Sequence, residues 1–183
     1  IGSGFQLEES KAKEIGKDGA EDVIKDFRTG RDLTDSPRKL KVIDFYGLSS
    51  QEAREQYPAA YQHVKDHVKP ERDQNNKEVY RENWWYFGEP QPSFRKGVRA
   101  LNRYIATTAV SKHRFFVFLD SNVIPNNTIR AISLQGAHHL GVLSSRIHRV
   151  WTLAAGGTLE DRPRYNTQCF ESFPFPAASE AQK

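Results

Sequence analysis

The sequence has 183 residues, 37% of them apolar and 27% charged, with a formal net charge of +4. That length is enough for one domain with its own core. No run of about 18 apolar residues and no basic leader before an apolar stretch occurs, so neither a membrane span nor a secretory signal is predicted. The single cysteine, Cys169, excludes an internal disulfide and fits a reducing, cytoplasmic setting; it is expected to act as a small buried apolar residue. The chain has no methionine and begins Ile1-Gly2-Ser3-Gly4, which leads us to expect a fragment of a longer polypeptide.

Residues 1–35 are polar and charge-mixed, and Gly2, Gly4, Gly16, Gly19 and Gly30 interrupt any periodicity. The pattern predicts loops with one short helix around Ala20–Phe27. Val42–Tyr46 reads as a strand ended by Gly47. Ser49 or Ser50 offers an N-cap ahead of Glu52, and a helical pattern runs toward Val68, broken at Pro58 and closed by Lys69-Pro70. A second helical stretch is expected over Lys77–Trp85, stopped by Gly88-Glu89-Pro90-Gln91-Pro92; its aromatic run Trp84–Phe87 is expected in the core. Ser93 can then cap a short basic helix through Leu101.

Beyond this point the period changes. Arg103–Thr107, Arg114–Leu119 and Thr128–Leu134 are rich in β-branched and aromatic residues and are separated by Asp120-Ser121-Asn122 and Pro125-Asn126-Asn127. From Ser144 the helical period returns, with Ile147, Val150, Trp151 and Ala154 at i, i+3, i+4 and i+7 as one buried stripe. Ser144 is the expected N-cap and Gly156-Gly157 the stop. Phe170 and Phe173-Pro174-Phe175-Pro176 form an apolar clasp, and residues 177–183 are expected to be a disordered tail. The predicted fold is α+β: a small, mostly antiparallel or mixed twisted sheet flanked by helices, one domain over residues 1–176, with residues 1–35 the part the pattern defines least.

Charge is unevenly distributed. Residues 90–159 hold nine Lys or Arg and one acid, Asp120, a net of +8 against +4 for the whole chain. Such a local field attracts a polyanion. Within it, Arg146 and Arg149 lie one turn apart near a helix start at Ser144-Ser145, the chemistry of a phosphate grip. Lys112-His113-Arg114, following Arg103 and Thr107-Thr108, is a compact basic cluster; Thr107, Thr108, Ser111 and Lys112 are candidates for sugar or phosphate contacts. The segment Gly156–Asn166 is turn-rich and carries both hydrogen-bond signs. Arginine donates twice to guanine O6 and N7 and a carboxylate accepts from cytosine N4, so Glu160, Asp161, Arg162 and Arg164 are the residue types that read base edges.

Several segments share a family pattern: His139-Leu140-Gly141-Val142-Leu143-Ser144-Ser145-Arg146-Ile147-His148-Arg149-Val150-Trp151, then Tyr165-Asn166-Thr167-Gln168-Cys169-Phe170-Glu171-Ser172-Phe173-Pro174-Phe175-Pro176. With Gly30-Arg31-Asp32-Leu33, Val42-Ile43-Asp44-Phe45, Trp84-Trp85-Tyr86-Phe87-Gly88 and Arg103-Tyr104-Ile105-Ala106-Thr107, in that order along the chain, they resemble the target-recognition domain of large bacterial DNA methyltransferases. The family is the MmeI-like and TaqI-like adenine methylases. The resemblance implies a module that recognises double-stranded DNA beside an N-terminal methyltransferase domain of the same polypeptide, in a restriction-modification or phage-defence system. Joined to the charge pattern, it makes Ser144, Ser145, Arg146, Arg149, Lys112, His113 and Arg103 expected DNA-backbone contacts; the loop resembles the family's short form, from which base contacts do not carry over, so Glu160, Asp161, Arg162 and Arg164 are expected base readers on their residue types alone.

Catalysis is not expected of this chain. It lacks a glycine-rich turn after a first strand to hold S-adenosylmethionine and has no Asn-Pro-Pro-aromatic motif for a flipped base, so the cofactor is expected in the parent protein alone. His138, His139 and His148 match no metal-binding spacing, and no metal site is expected. Asp44 and Asp120, each after an apolar strand, are expected to cap strand ends. Two other readings remain: an RNA- or single-strand-binding module, if Trp84, Trp85 and Tyr86 are exposed, and a protein-interaction domain of a defence system, if residues 95–149 face an acidic partner.

Overall fold

The computed structural model describes residues 2–17, 19–87 and 91–179. In chain order these form a 3-10 turn (Ser3–Phe5), β1 (Gln6–Leu7), α1 (Glu9–Gly16), a second 3-10 turn (Ala20–Val23), β2 (Ile24–Arg28), α2 (Gly30–Thr34), β3 (Lys41–Ile43), α3 (Ser50–Gln56), α4 (Pro58–His67), α5 (Lys69–Asp73) and α6 (Glu78–Glu82). The second half adds α7 (Pro92–Val98), β4 (Arg103–Thr108), β5 (Val117–Asp120), β6 (Ile124–Pro125), β7 (Ile129–Ile132), α8 (Ala137–Ser144), α9 (Arg146–Ala155), β8 (Thr158–Leu159), β9 (Arg162–Pro163) and α10 (Thr167–Glu171). The class is α+β, as the pattern predicts. The backbone divides into two compact units, Ile1–Phe27 with Arg38–Gln91 and Arg28–Pro37 with Pro92–Lys183. Among the described residues no helix is long and apolar enough to cross a membrane.

In the first unit β3 pairs antiparallel with β1 and with β2, Val42 lying opposite both Gln6 and Lys25. The helix expected over Ala20–Phe27 is instead a 3-10 turn running into β2. The amide of Phe27 donates to Leu40 O at 2.9 Å, so pairing with the β3 segment supplies partners that a helix would have supplied internally. The glycines read as interruptions have local duties: Gly16 is the last residue of α1, a helix the pattern did not predict, and Gly19 turns the chain at φ 82°.

Ser49 caps α3 as expected, accepting from Glu52 N at 3.2 Å while the Glu52 carboxylate accepts from Ser49 N at 2.8 Å. Pro58 makes the expected break and opens α4. Helix α4 ends at His67, just ahead of Lys69-Pro70 as expected, but a new helix, α5, starts at once. Pro70 falls in its first turn, where a missing N–H leaves nothing unpaired. The stretch Lys77–Trp85 contracts to α6, and the stop read at Gly88–Pro90 lies outside the described residues. The aromatic run packs inward: Trp84 is buried, Trp85 donates its indole N–H to Leu48 O at 3.0 Å, and Phe87 meets Phe5 and Phe27 edge-on at 5.6 and 5.5 Å. Trp85 and Tyr86 stay half-buried, so of the three aromatics a single-strand-binding module would use only Trp84 is buried.

The second unit is built on the antiparallel sheet β5-β4-β7, with Ile105 opposite Phe118 on one side and Ile132 on the other. Side chains alternate along each strand, so the sheet sorts them to two faces. On one face Tyr104, Ala106 and Ile129 pack with Val117, Leu119 and Ala131 beneath Val98 and Phe94 of α7 and Leu33 of α2. On the other, Ile105, Phe116 and Ile132 pack beneath Leu143 of α8, Tyr165 and Cys169. Central β4 is buried on both faces from Tyr104 to Thr108, which explains its unbroken run of small and apolar residues.

Helix α7 begins at Pro92, with Ser93 inside it and not capping it. Helix α2 has a reciprocal Thr29–Asp32 capping box, and Gly30 N donates to Thr128 Oγ1 at 2.7 Å. Cys169 is buried, as expected, and Phe173 and Phe175 close onto α9 and α10 with Phe170. Of the expected disordered tail, residues 180–183 lie outside the described residues.

Candidate nucleic-acid interface

Four of the nine cations of residues 90–159 meet at one feature of the second unit. A cleft of about 300 Å3 is lined by Lys112, Arg114, Arg146, Arg149, Val150, Thr152, Leu153 and Pro163. Helix α9 forms one wall, because Arg146, Arg149, Val150 and Leu153 stand at i, i+3, i+4 and i+7 and share a face. The segment after β4 supplies Lys112 and Arg114, and β9 supplies Pro163. Four cations and no acid line the cleft. Lys112, Arg146 and Arg149 are exposed and have no side-chain hydrogen bond or ion pair among the described residues.

Arg114 is held differently. Its guanidinium donates to Thr107 Oγ1 at 3.0 Å, to Thr108 O, and to Pro163 O at 3.0 Å, and it lies over the Tyr165 ring at 5.2 Å. Burial pushes its pKa below the ordinary arginine value, with Tyr165 and Cys169 acting in the opposite direction. The residue thus ties the end of β4 to β9 and fixes the cleft's floor.

The helix bearing the arginines differs from the expected one in two respects. Its N-cap is Ser145, whose hydroxyl accepts from His148 N at 3.2 Å, while Ser144 is the last residue of α8. Moreover the buried stripe is not Ile147, Val150, Trp151 and Ala154. Ile147 is 75% exposed and Val150 61%, and Ala154 is exposed too; His148 and Thr152 are the residues fully covered. Polar groups take the inner face with one tertiary or local partner each, although His148 Nδ1 is buried without a hydrogen bond among the described residues. His148 Nε2 meets the Tyr165 hydroxyl at 3.1 Å, and Thr152 Oγ1 donates to Arg149 O at 2.8 Å. The His148 ring also packs edge-on against Phe173 at 4.5 Å and beside Phe116 at 5.7 Å. Burial first, and the Arg114 charge second, push its pKa down to about 4.

Other expected contacts lie elsewhere. Arg103 stands at the opposite end of β4 from the cleft-lining cations, roughly 17 Å along the strand. Its guanidinium covers the Phe118 ring at 3.7 Å and donates to Gln135 O at 3.1 Å. Thr107 and Thr108 are buried and therefore not available as sugar or phosphate contacts. His113 is exposed but does not line the cleft, and its carbonyl accepts from Ser111 Oγ. Asp120 closes the turn after β5 by accepting from Asn122 N at 2.8 Å, and Asp44 accepts from Tyr46 N at 3.3 Å, both in the strand-end role expected.

The segment expected to read bases is a small hairpin: Leu159 pairs with Arg162 across the turn Glu160-Asp161. Glu160 adopts the left-handed conformation at φ 57°, and its carboxylate binds Arg162 Nη2 at 2.8 Å. Arg164 leaves the hairpin exposed while its backbone bridges to Val110. The hairpin borders the cleft through Pro163. Sequence reasoning did not assign Val150, Leu153 or Arg114 to the site. For Arg114 the Lys-His-Arg cluster was a usable signal; for the two aliphatics there was none, since their spacing reads as core. Among the described residues no group of three or more His, Cys, Asp or Glu is placed to hold a metal ion.

The chain matches the family model "MmeI, target recognition domain" over residues 2–177. It is 32% identical over 95 residues to DNA methyltransferase A of Bacillus subtilis (strain 168), an alignment covering 49% of this chain and 11% of that relative. Its fold is similar to that in a solved structure of the Type IIL restriction-modification enzyme MmeI in complex with DNA, with a TM-score of 0.70 and 19% identity over 97% of this chain. The chain thus spans 24% of the solved MmeI chain, and the aligned part 11% of the curated relative. With the expected segments in order and the match running almost end to end, the chain belongs to the MmeI target recognition domain family.

Proposed function

We propose that the chain recognises a specific sequence in double-stranded DNA on behalf of a DNA methyltransferase, within a restriction-modification or phage-defence enzyme acting in the cytoplasm. The observation that carries this reading is the acid-free cleft in which Lys112, Arg146 and Arg149 stand unpaired beside the Glu160–Arg164 hairpin. Residues 1–176 serve as one recognition domain, a reading supported by the single family model over 2–177. The methyltransferase domain is assigned to another part of the same polypeptide, a reading supported by relatives named as a DNA methyltransferase and a restriction-modification enzyme; its S-adenosylmethionine and its adenine target are part of the proposal.

Within this reading the cleft cations bind phosphate and the hairpin selects bases. Arg103, engaged with Phe118 and Gln135, and Ser144, at the end of α8, have the weakest support among the backbone contacts. Ser145 serves by capping the helix that presents Arg146 and Arg149, and His113 remains a peripheral contact. The Glu160–Arg162 ion pair does not prevent base reading. An exposed pair is worth roughly 0–1 kcal/mol, whereas a good side-chain contact to a base edge discriminates by about 1–3 kcal/mol. Opening the pair to contact bases is therefore favourable overall.

Glu160→Gln and Arg162→Gln, made in the full-length polypeptide and followed by sequencing of its modified sites, are expected to relax or change the motif at one position each. An unchanged motif at normal affinity contradicts base selection by the hairpin.

A further inference from the structure

Helix α9 presents large aliphatic side chains to solvent: Ile147 is 75%, Val150 61% and Leu153 59% exposed. Single exposed aliphatics are ordinary, but Val150 and Leu153 lie together in a cleft whose remaining charged lining is Lys112, Arg114, Arg146 and Arg149. A protein partner covering this surface has to match four cations with acids or bury them unpaired. Duplex DNA satisfies both features at once. Its major groove is about 12 Å wide, with phosphates along both rims and thymine C5-methyl groups projecting from the base edges between them. An α-helix fits that width, and α9 carries cations beside an apolar strip.

We propose that Val150 and Leu153 are specificity-determining residues that contact thymine methyl groups in the major groove, while the neighbouring cations hold the phosphates. This rests on the duplex-DNA reading above and adds a second reader beside the hairpin. Ile147, on the adjoining exposed face, extends the apolar strip.

The test presents the full-length polypeptide that carries this chain with two pools of random-sequence duplexes, one made with thymine and the other with uracil, which lacks only the methyl group. It is expected to enrich sequences with thymine at one or more fixed positions from the first pool and to lose that preference in the second. On a selected duplex, replacing such a thymine by uracil should weaken binding about fourfold, the effect of one buried methyl. Val150→Ala or Leu153→Ala should bring the thymine-to-uracil ratio close to one. Both side chains are more than half exposed, so the variants are expected to keep the native unfolding midpoint.

Equal binding of thymine and uracil duplexes by the native polypeptide overturns the proposal, as does a thymine preference that survives in both variants. A change of oligomeric state in the variants also overturns it, by assigning the strip to contact between copies of the chain. Salt-dependent duplex binding without methyl sensitivity defeats this inference alone. No duplex binding defeats it together with the proposed function.

Discussion

Arg114→Ala should destabilise the protein by about 3–5 kcal/mol, with the loss visible as a lower urea midpoint. The side chain holds three acceptors at once, Thr107 Oγ1, Thr108 O and Pro163 O, in a part-buried position. Each buried acceptor left without a donor costs about 1–3 kcal/mol, and hydrogen bonds to a charged group stand at the strong end of their range. Ser111 N also donates to Pro163 O, at 3.3 Å, so that carbonyl keeps one weaker partner. Arg114→Lys should recover only part of the loss, because an ammonium cannot reproduce the planar fork that spans β4 and β9. Hydrogen exchange in the β8–β9 hairpin should rise in both variants. A loss under about 1 kcal/mol for Arg114→Ala would mean that the bridge does not support the cleft.

Acidification should weaken the fold through His148. Its folded pKa, about 4, lies below the value near 6.5 expected for an unfolded chain. Above pH 6.5 the ring is neutral in both states and there is no penalty. As the pH falls from 6.5 toward 4, the unfolded chain binds a proton that the folded protein does not, and stability declines. Below about pH 4 both states are protonated and the loss is complete. Between pH 7 and pH 5 this one group contributes a decrease of about 2 kcal/mol. The ring sits against Tyr165, Phe116, Phe173 and Phe175, with Arg114 as the nearby cation. Urea unfolding at the two pH values should show the decrease in the native chain and a correspondingly smaller one in His148→Leu. Identical pH dependence in both proteins would contradict a buried neutral histidine.

The same histidine marks the limit of what the sequence disclosed. Periodicity located α9 to within a residue or two and named Gly156-Gly157 as its end, because a 3.6-residue repeat and a glycine stop are local signals. It assigned the wrong face inward. Ile147, Val150 and Ala154 satisfy a core stripe as well as any set of residues in the chain, while His148 and Thr152 look like solvent positions. Only tertiary partners, the Tyr165 hydroxyl and the Phe173 ring, make the polar side the buried one. The β4, β5 and β7 strands were legible for the opposite reason, since a β-branched and aromatic run and the turn residues that bound it are specified within each segment.

In the candidate site, Lys112, Arg146 and Arg149 were identified from charge and spacing and meet in one cleft. Arg103 belonged to the same basic region, but its partner Phe118 becomes a neighbour only when β4 pairs with β5, and Gln135 only when β4 pairs with β7. Thr107 and Thr108 were misjudged because a central strand and an edge strand look alike until the third strand is placed. Glycines caused the remaining errors near the start of the chain. Gly16 and Gly19 were taken as breaks in periodicity when they end α1 and turn the backbone after it.

The central claim, that Lys112, Arg146 and Arg149 hold duplex phosphates, is tested most directly by the salt dependence of duplex binding. Each phosphate neutralised contributes a slope of about 0.9 in the logarithm of affinity against the logarithm of salt concentration. Combining Lys112→Gln, Arg146→Gln and Arg149→Gln should therefore make the slope shallower by about 2.7 and weaken binding across sequences alike. An unchanged slope in the triple variant, or native binding that is indifferent to salt, would contradict it.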